Sequence, residues 1–409
     1  MDPVGIEAMN AFCGTACVDV RELMVHRGLD TARFEELLLD RKTVTMPWED
    51  PVTFGVNAAK PLLDALPPAE LDRVEMLIAC TESGLDFGKP LAAYLHHWLG
   101  LNRNCRLFEL KSACYSGTAG LQAAVSFVLS RTSPGAKALV VATDVARGAA
   151  TDDPCAVTMD WAFSEPSGGA GAVALLVGEH PGVFGFDVGA NGYHGHEVMD
   201  TCRPTPDGEA GDPDVGLMTY LDACEQTFRA YRERVPGADY RTSFDYLAFH
   251  TPFGGMVRSA HRTMMRRVAR VPAAEIEPDF RRRVLPGICH TRQTGNTMGA
   301  GVFLSLAGTI EAADPAGGQR VGCFSYGSGC CAEFYSGVVA PGASDRVAAL
   351  GIGARLASRR RLRPAEYDGV ARAGLRFGTR NAVVDPGEDE PGRLVLRGVR
   401  EFRREYAWT

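Results

Sequence analysis

The run Ala113-Cys114-Tyr115-Ser116-Gly117-Thr118-Ala119-Gly120 joins a short β-rich segment, Arg106–Leu110, to a small-residue stretch that continues to Ser130 with helical apolar spacing. A strand that feeds a cysteine and then a glycine-punctuated helix lifts the thiol to the edge of a sheet. It is the cysteine counterpart of a nucleophile elbow. The unpaired N–H groups and positive end of the helix are expected to favour a thiolate there. The lack of bulk at Gly117 and Gly120 is expected to let a substrate approach. The alternative for Cys114 is a buried structural thiol.

Outward from this run the same grammar recurs. Val74–Ala79 reads as a buried strand that runs into Thr81-Glu82-Ser83-Gly84, an acid at a strand's C-terminal end suited to general-base work. A turn or cap acid is the alternative. Ala138–Ala142 and Ala172–Val177 are two further strands. In the second half, Phe244–Phe249 leads into His250, and Arg258–Val271 reads as a basic, partly exposed helix. Asn296–Ile310 is a second buried small-residue helix, opened by an amide that suits either a substrate contact or an N-cap. Arg320–Ser325 is a strand entering Ser325-Tyr326-Gly327-Ser328-Gly329, whose backbone N–H groups suit an oxyanion site or a plain glycine turn.

Alternating strands and helices predict a layered α/β fold. Two halves of similar grammar, each with a central buried helix, imply an internal duplication, divided here into residues 1–180 and 181–409. Strand ends of one sheet lie near each other, so Cys114, Glu82, His250, Asn296 and the glycine loop are expected to share one pocket. Asp200–Asp214, rich in Pro and Asp, is expected to be a loop over that cleft. Val347–Arg361 is expected to be a helix, with Arg359, Arg360 and Arg361 on a solvated face. Asp385–Gly392 is expected to be a solvated acidic turn.

Composition narrows the function. The 409 residues carry a formal net charge of -7, which argues against a nucleic-acid backbone as the main partner. No apolar run is long enough to span a bilayer, and Met1-Asp2-Pro3-Val4-Gly5 lacks the pattern of a signal peptide, so the expectation is cytoplasmic with no membrane partner. The 12 cysteines show no paired zinc-site spacing, so all but Cys114 are expected to be reduced, core-filling residues. His194 and His196 form a minor metal candidate beside the favoured reading of a polar loop.

These motifs together resemble the 3-hydroxy-3-methylglutaryl-CoA synthase family, of the thiolase fold, over nearly the whole chain. ACYSGTAG resembles its nucleophile motif, with Ser116 where a Gly is usual, and TESGLDFGK its glutamate motif. AFHTPF resembles its histidine motif, GNTMGAG its asparagine motif and FSYGSG its glycine loop. EPSGGAGAVALL, which contains Ser167, also matches. The resemblance implies a five-layered αβαβα sandwich, a homodimer, and catalysis by Cys114, Glu82 and His250. Asn296, Ser328, Ser167 and Tyr326 are implied around the substrate and its oxyanion.

Within the family the resemblance is greater to the polyketide β-branching branch, whose loop is matched by residues 193–206. CoA-using members carry two lysines after the histidine motif, where this chain has Gly255 and Ser259. An asparagine that contacts CoA is replaced by Phe163. The implied substrates are therefore thioesters on the phosphopantetheine arms of donor and acceptor acyl carrier proteins, with no metal and no bound cofactor. Arg258, Arg262 and Arg266, spaced along one helix face, are candidates for docking a carrier. The implied reaction adds an acetyl- or propionyl-derived carbanion from Cys114 to the β-keto carbon of a carrier-bound polyketide. Its product is a carboxymethyl branch on a tertiary alcohol. Alternatives are an acetoacetyl-CoA-using synthase of primary metabolism, a decarboxylating ketosynthase or thiolase, and a non-catalytic docking subunit.

Overall fold

The computed structural model describes residues 3–146, 165–205, 208–386 and 391–409. Nine strands form its main sheet: β1 (Gly5–Phe12), β2 (Val74–Cys80), β3 (Arg106–Leu110), β4 (Lys137–Val145), β5 (Ala170–Gly178), β6 (Phe184–Gly195), β7 (Tyr246–Phe249), β8 (Arg320–Gly327) and β9 (Cys331–Val339). Their order is β7-β8-β9-β6-β1-β5-β4-β2-β3. The pattern repeats outward from the centre. In one arm β1, β5 and β4 are antiparallel neighbours and β2 lies parallel to β4. In the other, β6, β9 and β8 are antiparallel and β7 lies parallel to β8. Only Gly5 and Ile6 of β1 pair with β6, so the two arms join at one end.

Successive strand residues face different cores, which is why these strands read as continuous apolar runs. In β2, Met76, Ile78 and Cys80 belong to the central core, while Leu77 and Ala79 belong to an outer one. The central core is filled by two small-residue helices, α3 (Ser116–Ser130) and α7 (Gly301–Glu311). Outside one arm pack α1 (Pro51–Asp64) and α2 (Leu91–Leu99). Outside the other pack α4 (Pro213–Arg234), α5 (Gly254–Arg267) and α6 (Ala273–Arg283). Outer helices, sheet arm, central helices, sheet arm and outer helices make five layers.

Close approach of α3 to the segment opening α7 and to β2 explains the glycines of the quoted run. A Cβ at Gly117 would lie 2.2 Å from the Gly299 carbonyl oxygen, and one at Gly120 would lie 2.3 Å from Cys80 Sγ. Both glycines serve helix packing, and nothing in their surroundings supports the expected role of admitting substrate.

Two segments and one cysteine depart from the sequence reading. Residues 200–214 are not an irregular loop: Thr201–Thr205 and Gly208–Gly211 pair as a two-stranded ribbon, and α4 follows it directly. Val347–Arg361 is not one helix, because Gly351 at φ +63° separates Ala343–Ala348 from Ile352–Ala357, and Arg360–Leu362 joins a small sheet. Nor is its arginine run solvated throughout. Arg359 is buried, donating to Thr43 Oγ1 at 2.9 Å and to backbone oxygens of Leu356, Cys13 and Gln293. Among the described cysteines all are free thiols, but Cys289 is exposed rather than core-filling. Part of the acidic turn, residues 387–390, lies outside the described residues.

Candidate active site

β2, β3 and β4 run parallel, so their C-terminal ends lie on one edge of the sheet. Glu82 follows β2, Cys114 follows β3, and Asp144 sits at the end of β4. Cys114 Sγ donates to Glu82 Oε1 at 3.5 Å. Asp144, fully buried, anchors the glutamate turn through one oxygen: Oδ1 accepts from Thr81 Oγ1 and the amides of Glu82 and Ser83 at 2.8–3.1 Å, and from Ser83 Oγ at 2.9 Å. Burial and the adjacent Glu82 charge push the Asp144 carboxyl up to about 7, against the pull of these donors and Arg203. Asp144 is absent from the sequence reading, although its setting, an acid closing the strand run that includes Ala138–Ala142, is the same signal that singled out Glu82.

The ribbon at 201–211 supplies the cation of the site. Arg203 Nη1 approaches the Glu82 carbonyl at 3.5 Å and Ser83 Oγ at 3.4 Å, and its guanidinium also faces Glu209. The segment expected to be a loop over the cleft is thus a paired ribbon that brings Arg203 against the glutamate turn. A neighbouring residue, Asp200, fixes the ribbon to the glycine loop: it accepts from Tyr326 Oη and from the Gly329 amide.

The thiol is not the thiolate that the helix N-terminus was expected to give. α3 begins at Ser116 with Tyr115 as its N-cap, so Cys114 stands one residue before the cap. Burial, then the charges of Glu82 and Asp144, hold the thiol well above its usual range, and Arg203 only partly opposes them. Cys114 is thus a protonated hydrogen-bond donor to Glu82.

His250 lies at the end of β7, 1% exposed, with its backbone amide donating to the Phe324 oxygen of β8. Tyr220 Oη of α4 donates to its carbonyl at 2.6 Å. Among the described residues its Nδ1 has no hydrogen-bond partner, and a Cβ at Gly301 would lie 3.1 Å from that atom. Two residues earlier, Gly299 abuts Ser116 Oγ, so the turn opening α7 has the nucleophile run on one side and His250 on the other. Burial pushes the imidazole down to about 3, which keeps it neutral. A ring held neutral in this way contributes stability that is present above the unfolded value of 6.5 and lost as pH falls toward about 3. His250→Gln is therefore expected to flatten the acid-side loss of stability. Urea midpoints measured from about pH 6.5 down to about 4 check this, and parallel slopes in the two proteins would contradict it.

Asn296 sits where its backbone crosses the Ser167 segment: its amide donates to the Ser167 oxygen at 2.7 Å, and its carbonyl accepts from Gly169. Its Oδ1 accepts from Met298 N at 2.9 Å, so the amide does cap the following turn. Ser325 is fully buried in β8, its hydroxyl without a partner among the described residues, whereas Ser328 is half-buried in the turn after the strand. Gly327 packs against the nucleophile run: a Cβ there would lie 2.7 Å from Ser112 O and Tyr115 N. Glu82 and Cys114 thus stand at strand ends of one arm and His250 and Ser328 at those of the other, linked through the Gly299–Gly301 turn and Gly327.

Not all candidates are free to act. Arg258 is held by Glu277 at 2.8 Å, while Arg262 and Arg266 are exposed on α5 with no ion pair among the described residues. His194 and His196 place their rings 5.0 Å apart, but among the described residues the one group of three potential metal ligands is Cys289, His290 and Glu311, where His290 Nε2 already pairs with Glu311. Phe163 lies outside the described residues.

The comparisons with known proteins agree with this architecture. The N-terminal domain of hydroxymethylglutaryl-coenzyme A synthase matches residues 1–181, and its C-terminal domain matches residues 265–408. The polyketide biosynthesis 3-hydroxy-3-methylglutaryl-ACP synthase PksG of Bacillus subtilis is 58% identical, with all of both chains covered. The hydroxymethylglutaryl-CoA synthase of Enterococcus faecalis is 31% identical over 90% of this chain and 91% of its own. The HMG synthase of the curacin pathway, solved with an acetyl donor-ACP, superposes with a TM-score of 0.94 at 53% identity over the whole of both chains. This chain belongs to the hydroxymethylglutaryl-CoA synthase family and is a condensing acyltransferase of thiolase fold.

Proposed function

We propose that the chain is a hydroxymethylglutaryl-carrier-protein synthase that installs a β-branch on a carrier-bound polyketide. The observation that carries the reading is the Cys114–Glu82 contact, a thiol and a carboxylate sharing one proton at the mouth of parallel strands. Glu82 takes the thiol proton as Cys114 attacks the donor thioester, and that proton leaves with the phosphopantetheine thiol. Glu82, again a carboxylate, then removes a methyl proton from the acyl-enzyme. The resulting enolate adds to the β-keto carbon of the acceptor. The neutral His250 ring hydrogen-bonds the developing alkoxide, which regains the proton, and Asn296 orients the acceptor. Water then cleaves the enzyme thioester and restores Cys114. The residues of the site act through charge and proton transfer, and the phosphopantetheine arm enters as part of the substrate.

A carrier protein is favoured over free CoA by the start of α5. A Cβ at Gly255 would lie 1.9 Å from the Glu36 carbonyl oxygen, so no lysine fits there without displacing the backbone of residues 34–37. Relatives support the same choice: PksG is described as an ACP synthase, and the curacin enzyme is solved with its donor-ACP. A cytoplasmic homodimer remains part of this reading. No described helix is long and apolar enough to cross a membrane, and β3 forms one edge of the main sheet.

Docking is assigned to the exposed Arg262 and Arg266 of α5, with Arg258 reserved to its pair with Glu277. Arg262→Glu with Arg266→Glu is expected to slow acylation from an acidic carrier, with the wild-type advantage shrinking as salt rises. Acylation from a small pantetheine thioester should barely change. Equal loss with both donors would place these residues in the fold, and efficient use of free acetyl-CoA would overturn the carrier assignment.

A further inference from the structure

Glu333 on β9 is wholly buried, and its carboxyl is pushed up to about 7 by that burial. Burying a carboxylate is costly unless its lone pairs are met, so its partners indicate what it holds in place. Three elements supply them. Tyr115 Oη donates to Oε2 at 2.6 Å; Gln122 Nε2 of α3 and Asn191 Nδ2 of β6 donate to Oε1 at 2.6 and 3.3 Å. Arg234 of α4 donates in turn to Asn191 Oδ1 at 2.7 Å.

Tyr115 is the residue directly after Cys114, and the turn they share is strained. Ala113, on the other side of the thiol, has φ +44°, the left-handed region that a residue with a Cβ adopts only where its surroundings over-determine it. The Gly327 backbone closes against Ser112 and Tyr115 from one side, and the Tyr115 amide donates to Ser112 O at 3.1 Å. On the other side the constraint is the phenol–carboxylate bond.

We infer that Glu333 is a positioning residue for the nucleophile: by fixing Tyr115 it holds the strained 112–115 turn so that Cys114 Sγ meets both Glu82 and an incoming thioester. The inference rests on the reading of Cys114 as the acyl carrier. Glu333 touches no reacting atom and acts only through Tyr115. Loss of its hold leaves the donor's binding surface intact and displaces the sulfur, and a displacement on the order of 1 Å costs up to about 10²-fold.

The test is acylation of Cys114 by acetyl-loaded carrier in wild type, Tyr115→Phe, Glu333→Gln, Glu333→Leu and the Phe/Leu double variant. Tyr115→Phe removes one hydrogen bond and leaves Glu333 held by Gln122 and Asn191, so it is the variant most certain to fold. It is expected to lower the acylation rate constant by about 10- to 10²-fold with donor KM and melting temperature unchanged. Glu333→Gln, whose amide can still pair with the phenol, is expected to retain most of the rate. Glu333→Leu should match Tyr115→Phe, and the double variant should be no slower than either, the mark of one shared contact. Wild-type acylation in Tyr115→Phe, or fully additive losses in the double variant, would overturn the inference. The alkylation rate of Cys114 by iodoacetamide is followed in parallel. If wild type never acquires acyl mass at Cys114, the functional reading fails, while equal alkylation of wild type and Tyr115→Phe would separately refute the positioning role.

Discussion

Cys114→Ala is expected to acquire no acyl mass from an acetyl-loaded carrier and to form no condensation product. Loss of a covalent nucleophile removes the pathway rather than slowing it, and such a removal can cost on the order of 10⁶-fold. Among the described cysteines, Cys114 is the one whose thiol donates to a carboxylate. Cys80 and Cys323 are fully buried, and burial raises both thiols far beyond the normal range. Cys13 is pushed up to about 11 despite Arg359 and Arg355 beside it. Cys330 and Cys331, near the glycine loop, are likewise raised by burial, and neither contacts a carboxylate base as Cys114 does. Intact-mass measurement after incubation with the loaded carrier, followed by peptide mapping, checks the outcome. An adduct on Cys330 or Cys331 in the wild-type protein would transfer the nucleophile role there.

The candidate residues stand at strand ends or helix starts, and local patterning marks those junctions well. The positions of Glu82, Cys114, His250 and Asn296 are legible in this way, as are both central helices. What the sequence hid arises from contacts between distant segments. Asp144 looked like the tail of a strand until the amides of residues 82 and 83 were seen converging on it. Arg203 sat in a segment whose Pro and Asp content pointed to irregular structure, and strand pairing within a short ribbon leaves little periodicity to read. The burial and carboxylates that raise the Cys114 thiol are hidden from the motif for the same reason. A helix N-terminus is a local feature that lowers a thiol pKa, whereas two carboxylates from other strands and burial act from outside the motif and prevail. The glycines at 117 and 120 read locally as room for a substrate, whereas their surroundings are the α7 segment and β2, which lie far away in sequence.

Glu82→Gln is expected to give the opposite phenotype to Cys114→Ala: an enzyme that loads and then stalls. The amide keeps the length of the side chain, and the backbone anchors to Asp144 do not involve the replaced atom. Loading survives because Glu82 acts on the thiol in two opposed ways. As a base it accepts the proton, yet its negative charge also raises the Cys114 pKa, so neutralising it makes the thiol easier to ionise. Arg203 remains beside the sulfur to stabilise the thiolate. Condensation has no such compensation. A methyl proton next to a thioester is a weak carbon acid that bulk water removes very slowly, and an amide cannot accept it. Removing a general base typically costs about 10²–10⁴-fold, so acetyl-enzyme should accumulate and persist when acceptor is added. Time-resolved mass spectrometry of the acetyl adduct, with and without a β-ketoacyl carrier, reads loading and condensation separately. Wild-type decay of the adduct on adding acceptor would remove Glu82 from the condensation step. Failure to load at all would instead show that the carboxylate is indispensable to the first proton transfer, with its effect on the thiol pKa outweighed by its work as a base.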